Sequence, residues 1–376
     1  MNKRSFLTFL SAFSLCVLLI LKNAEISEGI RRGLHLCSYS VIPAVFPFMA
    51  LSVFICKSSA SDFISKILRP AAKILKIPES CGKVFPAAIF GGYPAAAKCI
   101  NDLVSDGYTD RNTASKMLCY CVNAGPSFLI GAVGAGVFGN VRIGFLIFFA
   151  QFISALIIAG AVSFFSKKAE PGIVFENYCY KNNSSAAIES IVSAAESCFR
   201  MCAFIVIACG ITETVLGGPF FAFCAENPFL KAIFSGFFEV TAGTFACSEI
   251  EGFNAVITAG AIASFSGISV IFQVAAVTDE SKIPLLPFII SRFFHAGITA
   301  AVLKILLCFS GGAESVFIAK GGRIEAVLSS SAPAAVSLLC MAALFLLSIV
   351  PSKSEKEPFL SRIRNKIETF RHSQTG

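Results

Sequence analysis

Long apolar runs without charge are the dominant pattern along this chain. A helix needs about 20 apolar residues to cross the hydrocarbon core of a bilayer. Five runs free of Asp, Glu, Lys and Arg reach that length, and they predict membrane-spanning helices at residues 33–56, 117–141, 143–166, 252–278 and 326–352. The run over residues 5–21 is slightly short and follows Lys3 and Arg4, but no small-x-small cleavage site follows it. It therefore predicts an uncleaved first helix.

Four further apolar segments are interrupted. Residues 84–97 are too short to cross and contain two prolines and the pair Gly91-Gly92. The other three segments each carry a charge near the middle, namely Glu213 in 201–225, Glu239 in 232–248 and Arg292 in 283–303. A charge at the bilayer centre costs a few kcal/mol, so it normally faces a cavity, a partner or an interface. We therefore expect these segments to be broken around a polar interior.

Composition agrees with this pattern. The 376 residues are 55% hydrophobic and 14% charged, with a mean hydropathy of +0.76, whereas an ordinary soluble domain is roughly 25% charged. This balance excludes a soluble globular enzyme, and the 39 Phe exclude a disordered chain. The predicted fold class is an all-α polytopic transmembrane protein with about eight to ten hydrophobic segments.

The positive charge lies in short loops, which predicts orientation rather than nucleic-acid binding. The net charge is +8, and residues 57–83 carry six Lys and Arg against two acids, which predicts a cytoplasmic loop. Lys167, Lys168 and Lys181 mark a second inner loop. Residues 188–199 show the spacing of a surface helix that connects two halves. The basic tail over residues 352–376 is either an amphipathic helix on an anionic membrane face or a disordered tail.

Two parts of the sequence resemble each other in order. The first has Gly-Gly-Tyr-Pro at 91–94 and Asn-x-Gly-Pro-Ser at 123–127, and the second has Gly236 followed by Phe-Ser-Gly-Ile-Ser at 265–269. Gly92 and Gly125 are 33 residues apart, and Gly236 and Gly267 are 31 residues apart. A short broken segment followed by an interrupted long one, present twice, is typical of secondary transporters built from repeats. Unwound backbone is tolerated in a membrane only around a wet cavity or a ligand.

These motifs also carry a family resemblance. The stretch Gly-Gly-Tyr-Pro-Ala-Ala-Ala-Lys at 91–98, with Asn-Asp-Leu at 101–103, resembles a signature of the YlbJ-type sporulation integral membrane proteins. Three further motifs match that group in the same order, at residues 123–126, 238–243 and 265–273, although Ala96 stands where the family often has Gly. The resemblance implies a pair of Gate-like regions, as in concentrative nucleoside transporters. It also implies a link with passage of dipicolinate into the developing spore.

The domain organisation then predicted has six parts. They are an N-terminal anchor and loop at 1–34, a first Gate-like repeat at 35–166, a connector at 167–200, a second Gate-like repeat at 201–310, a C-terminal transmembrane helix at 311–351 and the basic tail at 352–376.

Four ionisable residues at the breaks are the strongest site candidates. Glu239 is predicted to contact substrate or a coupling ion, with an ion pair to Lys98 or Arg292 as the structural alternative. Lys98 either pairs with a substrate carboxylate or extends to the membrane interface. Arg292 offers a planar fork suited to a dicarboxylate, or anchors a helix end. His295 either senses protonation or is hydrogen-bonded to a neighbour.

Neutral residues at the breaks complete the predicted substrate site. They would supply hydrogen bonds, backbone turns and one aromatic wall, and they are Tyr93, Pro94, Asn123, Gly125, Ser127, Thr241, Ser266, Ser269 and Gln273. Ser and Thr alone are weak evidence because they commonly join membrane helices.

The function expected from these features is transport of a small organic anion, dipicolinate first, across a bacterial cell or forespore membrane. A nucleoside-like solute and a non-transporting sporulation scaffold remain as alternatives. The fifteen Cys include no C-x-x-C pair and no cluster at metal-ligand spacing, so no metal or other cofactor is expected. Phosphate loops and a complete hydrolase motif are also absent from the sequence, so we do not expect an enzyme. The expected partners are the bilayer, the solute and other sporulation membrane proteins, with no nucleic acid.

Overall fold

A computed structural model describes residues 3–58, 60–166, 183–218 and 221–309. Within those ranges all regular secondary structure is helical and there is no strand. Five helical stretches are long and apolar enough to span a membrane, and they are Asn23–Lys57, Val141–Phe164, Ala186–Leu216, Phe253–Thr278 and Leu286–Phe309. The predicted all-α polytopic membrane fold is therefore confirmed. The predicted helix at 326–352, the basic tail and the three lysines of the second inner loop lie outside the described residues.

The first part of the chain forms a helical frame. Helix α1 is Lys3–Leu21, and a second crossing consists of α2 (Asn23–Leu36), a π-helical turn and α3 (Ile42–Lys57). Two short helices, α4 (Ala60–Ile67) and α5 (Arg69–Ile74), then fill the basic loop.

A helical hairpin follows, formed by α6 (Val84–Phe90) and α7 (Gly92–Ser105). The chain reverses between the two helices, because the Cys99 thiol lies 4.0 Å from the Lys83 carbonyl oxygen although sixteen residues separate them. In a straight helix those residues would be about 24 Å apart. We call this unit hairpin 1, with its tip at Gly91 and Gly92.

The next helix is interrupted. Helix α8 (Arg111–Cys121) is followed by four non-helical residues, 122–125, and the chain continues through Pro126 into the π-helix Ser127–Val137. Pro126 lacks a donor N–H, which explains why an α-helix cannot run through this point. The long helix α9 (Val141–Phe164) completes this half.

The second half repeats this order of elements. It contains α10 (Asn183–Leu216), the short α11 (Ala222–Glu226), α12 (Pro228–Phe238) and α13 (Val240–Ala246). The Lys231 ammonium lies 2.7 Å from the Glu249 carboxylate, eighteen residues away, so α12 and α13 also form a hairpin. We call it hairpin 2, with its tip at Glu239.

A broken helix and a continuous one follow hairpin 2. They are α14 (Phe253–Phe265) and α15 (Gly267–Thr278), separated by Ser266, and then α16 (Leu286–Phe309). Ser266 has φ 77°, the left-handed conformation that ends a helix.

The two hairpins enter the fold from opposite faces. Three crossings separate them: α8 with the π-helix, α9, and α10. Since that number is odd, hairpin 1 starts from the predicted cytoplasmic face and hairpin 2 from the other face. The open end of hairpin 1 agrees with this, because Ser105 lies 3.1 Å from Ser281, just past the end of α15. The halves are thus arranged as inverted repeats.

Several sequence predictions need correction. The interruptions expected inside the predicted spans at 117–141 and 252–278 are observed, because these runs form the two broken helices. Conversely, α10 and α16 run unbroken through Glu213 and Arg292. The Glu213 carboxylate forms an ion pair with the Arg32 guanidinium of α2, at 2.7 Å, so its charge does not require an unwound backbone. Nor does α10 break at residue 200, so the predicted connector helix and the following span are one helix.

Candidate functional site

Each hairpin tip packs backbone to backbone on the break of the helix that follows it. Gly92 has φ 73°, and a side chain there would lie 3.4 Å from the Gly125 nitrogen. Gly267 has φ 77°, and a side chain there would lie 3.0 Å from the Gly236 carbonyl oxygen. Both contacts combine a left-handed backbone with close approach, which explains why glycine occupies these positions.

The two tips and the two breaks enclose a small central cavity of about 30 Å³. Seven of the predicted site residues line it: Tyr93, Pro94, Gly125, Ser127, Glu239, Thr241 and Gln273. One buried water needs roughly 10–15 Å³ of cavity volume, so a cavity of this volume has room for about two waters. The central polar cavity expected from the sequence is therefore narrow in this conformation.

Four half-helices begin at this centre. Their first residues are Gly92, Ser127, Val240 and Gly267. A helix N-terminus carries unpaired N–H groups and a partial positive charge, which favours a nearby anion. The first-turn residues of three of these helices face the cavity, so the arrangement concentrates positive potential there.

Among the residues that the structure describes, Glu239 is the one carboxylate that lines the central cavity. Its side chain is fully buried, and its Oε2 accepts a 2.6 Å hydrogen bond from the Ala242 N–H, which caps α13. Its Oε1 has no hydrogen-bond partner within the described part of the chain. The predicted alternative, an ion pair to Lys98, is not observed, because Lys98 lies 2.9 Å from Asp102. Glu239 thus presents a free oxygen to the cavity.

Arg292 lies outside the cavity lining and binds the broken helix α8. Its fully buried guanidinium donates to the carbonyl oxygen of Val122, at 2.7 Å, and to that of Cys119. The Cys119 carbonyl lies in the last turn of α8 and the Val122 carbonyl just after its end, where helical N–H partners are missing. Arg292 therefore lies on a helix of the second half and donates hydrogen bonds to the backbone of the first half.

Tyr93 makes the reciprocal contact. Its hydroxyl donates to the carbonyl oxygen of Ala263, three residues before the break at Ser266. Each half of the molecule therefore donates hydrogen bonds to the backbone carbonyls of the broken helix in the other half. These reciprocal hydrogen bonds fix the position of one break relative to the other.

Other predicted site residues form hydrogen bonds around the two breaks. The Asn123 amide donates to the Tyr120 carbonyl oxygen at 2.7 Å, and Ser269 accepts a bond from Gln273 at 3.1 Å. Ser266 is buried at the second break, 3.5 Å from the Ser264 carbonyl oxygen. These side chains support the site without all lining the cavity.

His295 contacts α9 rather than the cavity. Its Nε2 lies 3.2 Å from the Gln151 carbonyl oxygen. The Gln151 side chain in turn donates to the Ala124 carbonyl oxygen, at 3.0 Å, inside the first break. Gln151 is a supporting residue that was not among the predicted site residues, although a buried amide in an otherwise apolar run was a visible signal.

A larger chamber leads from the centre towards the predicted cytoplasmic face. It measures about 240 Å³ and shares Pro94, Met201 and Gln273 with the central cavity. Charges of both signs line it: Lys98, Arg200, Glu196 and Glu280. A neighbouring chamber of about 220 Å³ shares Lys98 with it. Lys98 is thus placed at an entrance, some distance from the tips.

Two residues of this chamber were missed by the sequence reasoning as site residues. Asn101 is 3% exposed and its side-chain oxygen has no hydrogen-bond partner in the described residues. Arg200 forms an ion pair with Glu196, four residues earlier, with 2.6 Å between the charged groups. Only the packing of α7 against α10 brings these residues to one chamber.

Comparison with known proteins supports the predicted resemblance. The chain is 24% identical, over 343 residues, to the sporulation integral membrane protein YlbJ of Bacillus subtilis (strain 168), and the match covers 82% of this chain and 84% of that protein. No family model and no solved structure matches the chain. The resemblance to the YlbJ-type sporulation integral membrane proteins is confirmed, and with it localisation in a membrane.

Proposed function

We propose that this protein moves a small organic anion across the membrane, with dipicolinate during spore formation as the first candidate. The observation that carries the proposal is the convergence of three half-helix N-termini on a cavity between two opposed hairpins. Such ends supply fixed hydrogen-bond donors for an anion without a fully charged side chain. The predicted transport role, rather than catalysis, is retained as part of this proposal.

The narrow centre represents a closed state of the pathway. The chamber on the predicted cytoplasmic side reaches Pro94 and Gln273, which also line the central cavity. A solute larger than two waters passes only if a tip moves away from the break on which it packs. Each tip meets that break mainly through glycine backbone, and opening of hairpin 1 would also break the hydrogen bond from Tyr93 to Ala263.

Glu239 has a distinct role in this scheme. Three helix N-termini alone would hold an anion tightly, and a carboxylate among them opposes that retention. A proton or cation that reaches the free Oε1 would remove the opposition. Glu239 therefore sets selectivity or couples anion movement to a cation, while Arg292 holds the broken helix and Lys98 acts at the entrance.

A nucleoside-like solute is the second candidate. The cytoplasmic chamber carries as many carboxylates as cations, and its buried amides, Asn101 and Gln273, suit a neutral hydrogen-bonding solute. This balance is the observation that favours a neutral substrate over an anion.

Flux through reconstituted protein tests the proposal. Purified protein in liposomes is offered labelled dipicolinate or labelled uridine, and we expect faster dipicolinate entry than in protein-free vesicles. Glu239→Gln should change that flux at least tenfold with the fold intact, whereas Glu251→Gln, at an exposed loop position, should not. Faster uridine flux would favour the second candidate. Transport of neither solute by folded protein would favour the scaffold alternative.

A further inference from the structure

Two cysteines of the predicted cytoplasmic face lie within reach of each other. The Cys56 and Cys99 sulfur atoms are 3.6 Å apart, and the residues are separated by 43 positions in sequence. A disulfide bond is about 2.05 Å long, so a small side-chain rotation would join the two atoms. Cys56 belongs to the last turn of α3, and Cys99 lies in the middle of α7, the second arm of hairpin 1.

Both thiols face solvent-accessible space. They line the 220 Å³ chamber together with the ammonium groups of Lys57, Lys83 and Lys98. The carboxylates of Asp102, Asp106 and Glu189 line the same chamber, so its charge is balanced, and it is the proximity of the two thiols that allows them to react with each other. Cys99 is 8% exposed and Cys56 is half-buried, so the chamber is the route by which a small oxidant reaches them.

From this arrangement we propose that Cys56 and Cys99 are a redox-modification site that reversibly ties hairpin 1 to α3. With a peroxide as oxidant, two thiols and one peroxide give one disulfide and two molecules of water or alcohol. Each thiol loses its proton, the S–S bond forms and the O–O bond breaks. A dithiol reductant reverses the reaction by thiol–disulfide exchange.

The disulfide would act on the tip of hairpin 1. Cys99 and Gly92 belong to the same helix, seven residues apart, so fixing one limits movement of the other. The end of α3 that carries Cys56 is also fixed, because Lys57, next to Cys56, lies 2.8 Å from Glu189 on α10. Glutathione keeps cytoplasmic thiols reduced, so the disulfide forms only under oxidative conditions. In the oxidised protein hairpin 1 stays closed, a consequence that rests on the proposed transport function.

Oxidation of the intact protein tests the site. Cys16→Ser and Cys308→Ser first remove exposed thiols that would join separate molecules. After hydrogen peroxide treatment and alkylation, peptide mass spectrometry should show a Cys56–Cys99 disulfide. The melting temperature in detergent should rise, because the bond closes a long loop. Dipicolinate flux in liposomes should fall at least fivefold. Dithiothreitol should reverse all three changes.

Single substitutions provide the controls. Cys99→Ser should abolish the peptide link and leave flux insensitive to peroxide, whereas Cys81→Ser, at a buried thiol of the same face, should behave as the parent protein does. Failure to detect the disulfide in folded protein overturns the proposal. If the disulfide forms in an active transporter and dipicolinate flux stays unchanged, the claim that it keeps hairpin 1 closed is overturned. If the parent protein shows no flux, the proposed function fails, while the disulfide and melting-temperature readouts still decide the redox site.

Discussion

The two hairpin tips reach the same geometry with different chemistry. The tip of hairpin 1 is Gly91-Gly92 and carries no charge, and Gly92 makes the turn with a left-handed backbone. The tip of hairpin 2 is Glu239 in an extended conformation, and its carboxylate caps the helix that follows. In both, the tip packs on the break of the next helix. One tip is therefore built by removing side chains and the other by adding a capping group.

The two breaks differ in a similar way. The first covers four non-helical residues and exposes several carbonyls, which need Arg292 and Gln151 as partners. The second is one residue long and is served by Tyr93. The longer break requires the stronger donor, since charge-assisted hydrogen bonds are roughly twice as strong as neutral ones. Charge at this centre therefore has two separate uses, structural at Arg292 and functional, as proposed, at Glu239.

Removing the donors of Arg292 should have the largest effect on stability. Arg292→Met keeps the bulk but leaves two buried carbonyls unpaired, at roughly 1–3 kcal/mol each, so we expect a loss of about 2–5 kcal/mol. Unfolding free energy measured by titration with sodium dodecyl sulfate checks this. Lys304→Met, at an exposed position on the same helix, is the matched control. Equal stability of the two variants would show that the α8 break does not need Arg292.

The two left-handed glycines should differ in their tolerance of a methyl group. Gly267→Ala combines backbone strain of about 1–2 kcal/mol with a 3.0 Å approach to the Gly236 carbonyl oxygen, so we expect a loss of about 3 kcal/mol. Gly92→Ala meets more open space and should cost only about 1–2 kcal/mol. The same titration compares them, with Gly297→Ala, which has free space in a helix, as the control. A reversed order would contradict the packing described for the two tips.

Loss of the Tyr93 hydroxyl should have a smaller effect. Tyr93→Phe leaves one buried carbonyl without its donor and should lower the unfolding free energy by about 1–2 kcal/mol. Tyr39→Phe, on a side chain that is 60% exposed, should leave stability unchanged. If Tyr93→Phe were also neutral, the second break would not depend on the first half.

The smallest effect is expected at the helix cap of Asp110. Its carboxylate accepts hydrogen bonds from the N–H groups of Asn112 and Thr113 at the start of α8. Partial burial opposes ionisation, but these bonds outweigh it and lower the pKa of Asp110. Asp110→Ala should cost about 1 kcal/mol at pH 7, with the exposed Asp279→Ala as control.

The pH dependence of the Asp110 cap has a definite sign. Because the folded pKa is the lower one, the cap's full contribution is present above the unfolded value of about 3.9 and is lost as pH falls through the folded pKa. The stability difference between parent and variant, measured from pH 7 down to pH 3, should therefore shrink at the acid end. A constant difference would contradict the cap.

Much of the fold was predictable because membrane insertion depends on local sequence. The apolar runs indicated the spans, and Gly91-Gly92 and Pro126 indicated two of the breaks. The break at Ser266 lies in an apolar run, and only its Gly267 neighbour hinted at it. The unbroken passage of α10 through Glu213 was not predictable, since it depends on Arg32, 181 residues away. The roles given to the predicted site residues remain predictions.

The sequence by itself determined the all-helical membrane class, because hydrophobic length and backbone satisfaction in lipid are properties of each segment alone. It also marked the places where helices could not continue, since glycine and proline act on their own backbone. The tertiary structure alone decided which carbonyl each buried donor serves, that the two hairpins meet from opposite faces, and that Cys56 lies beside Cys99. Those facts depend on contacts between residues far apart in the chain, and no local pattern contains them.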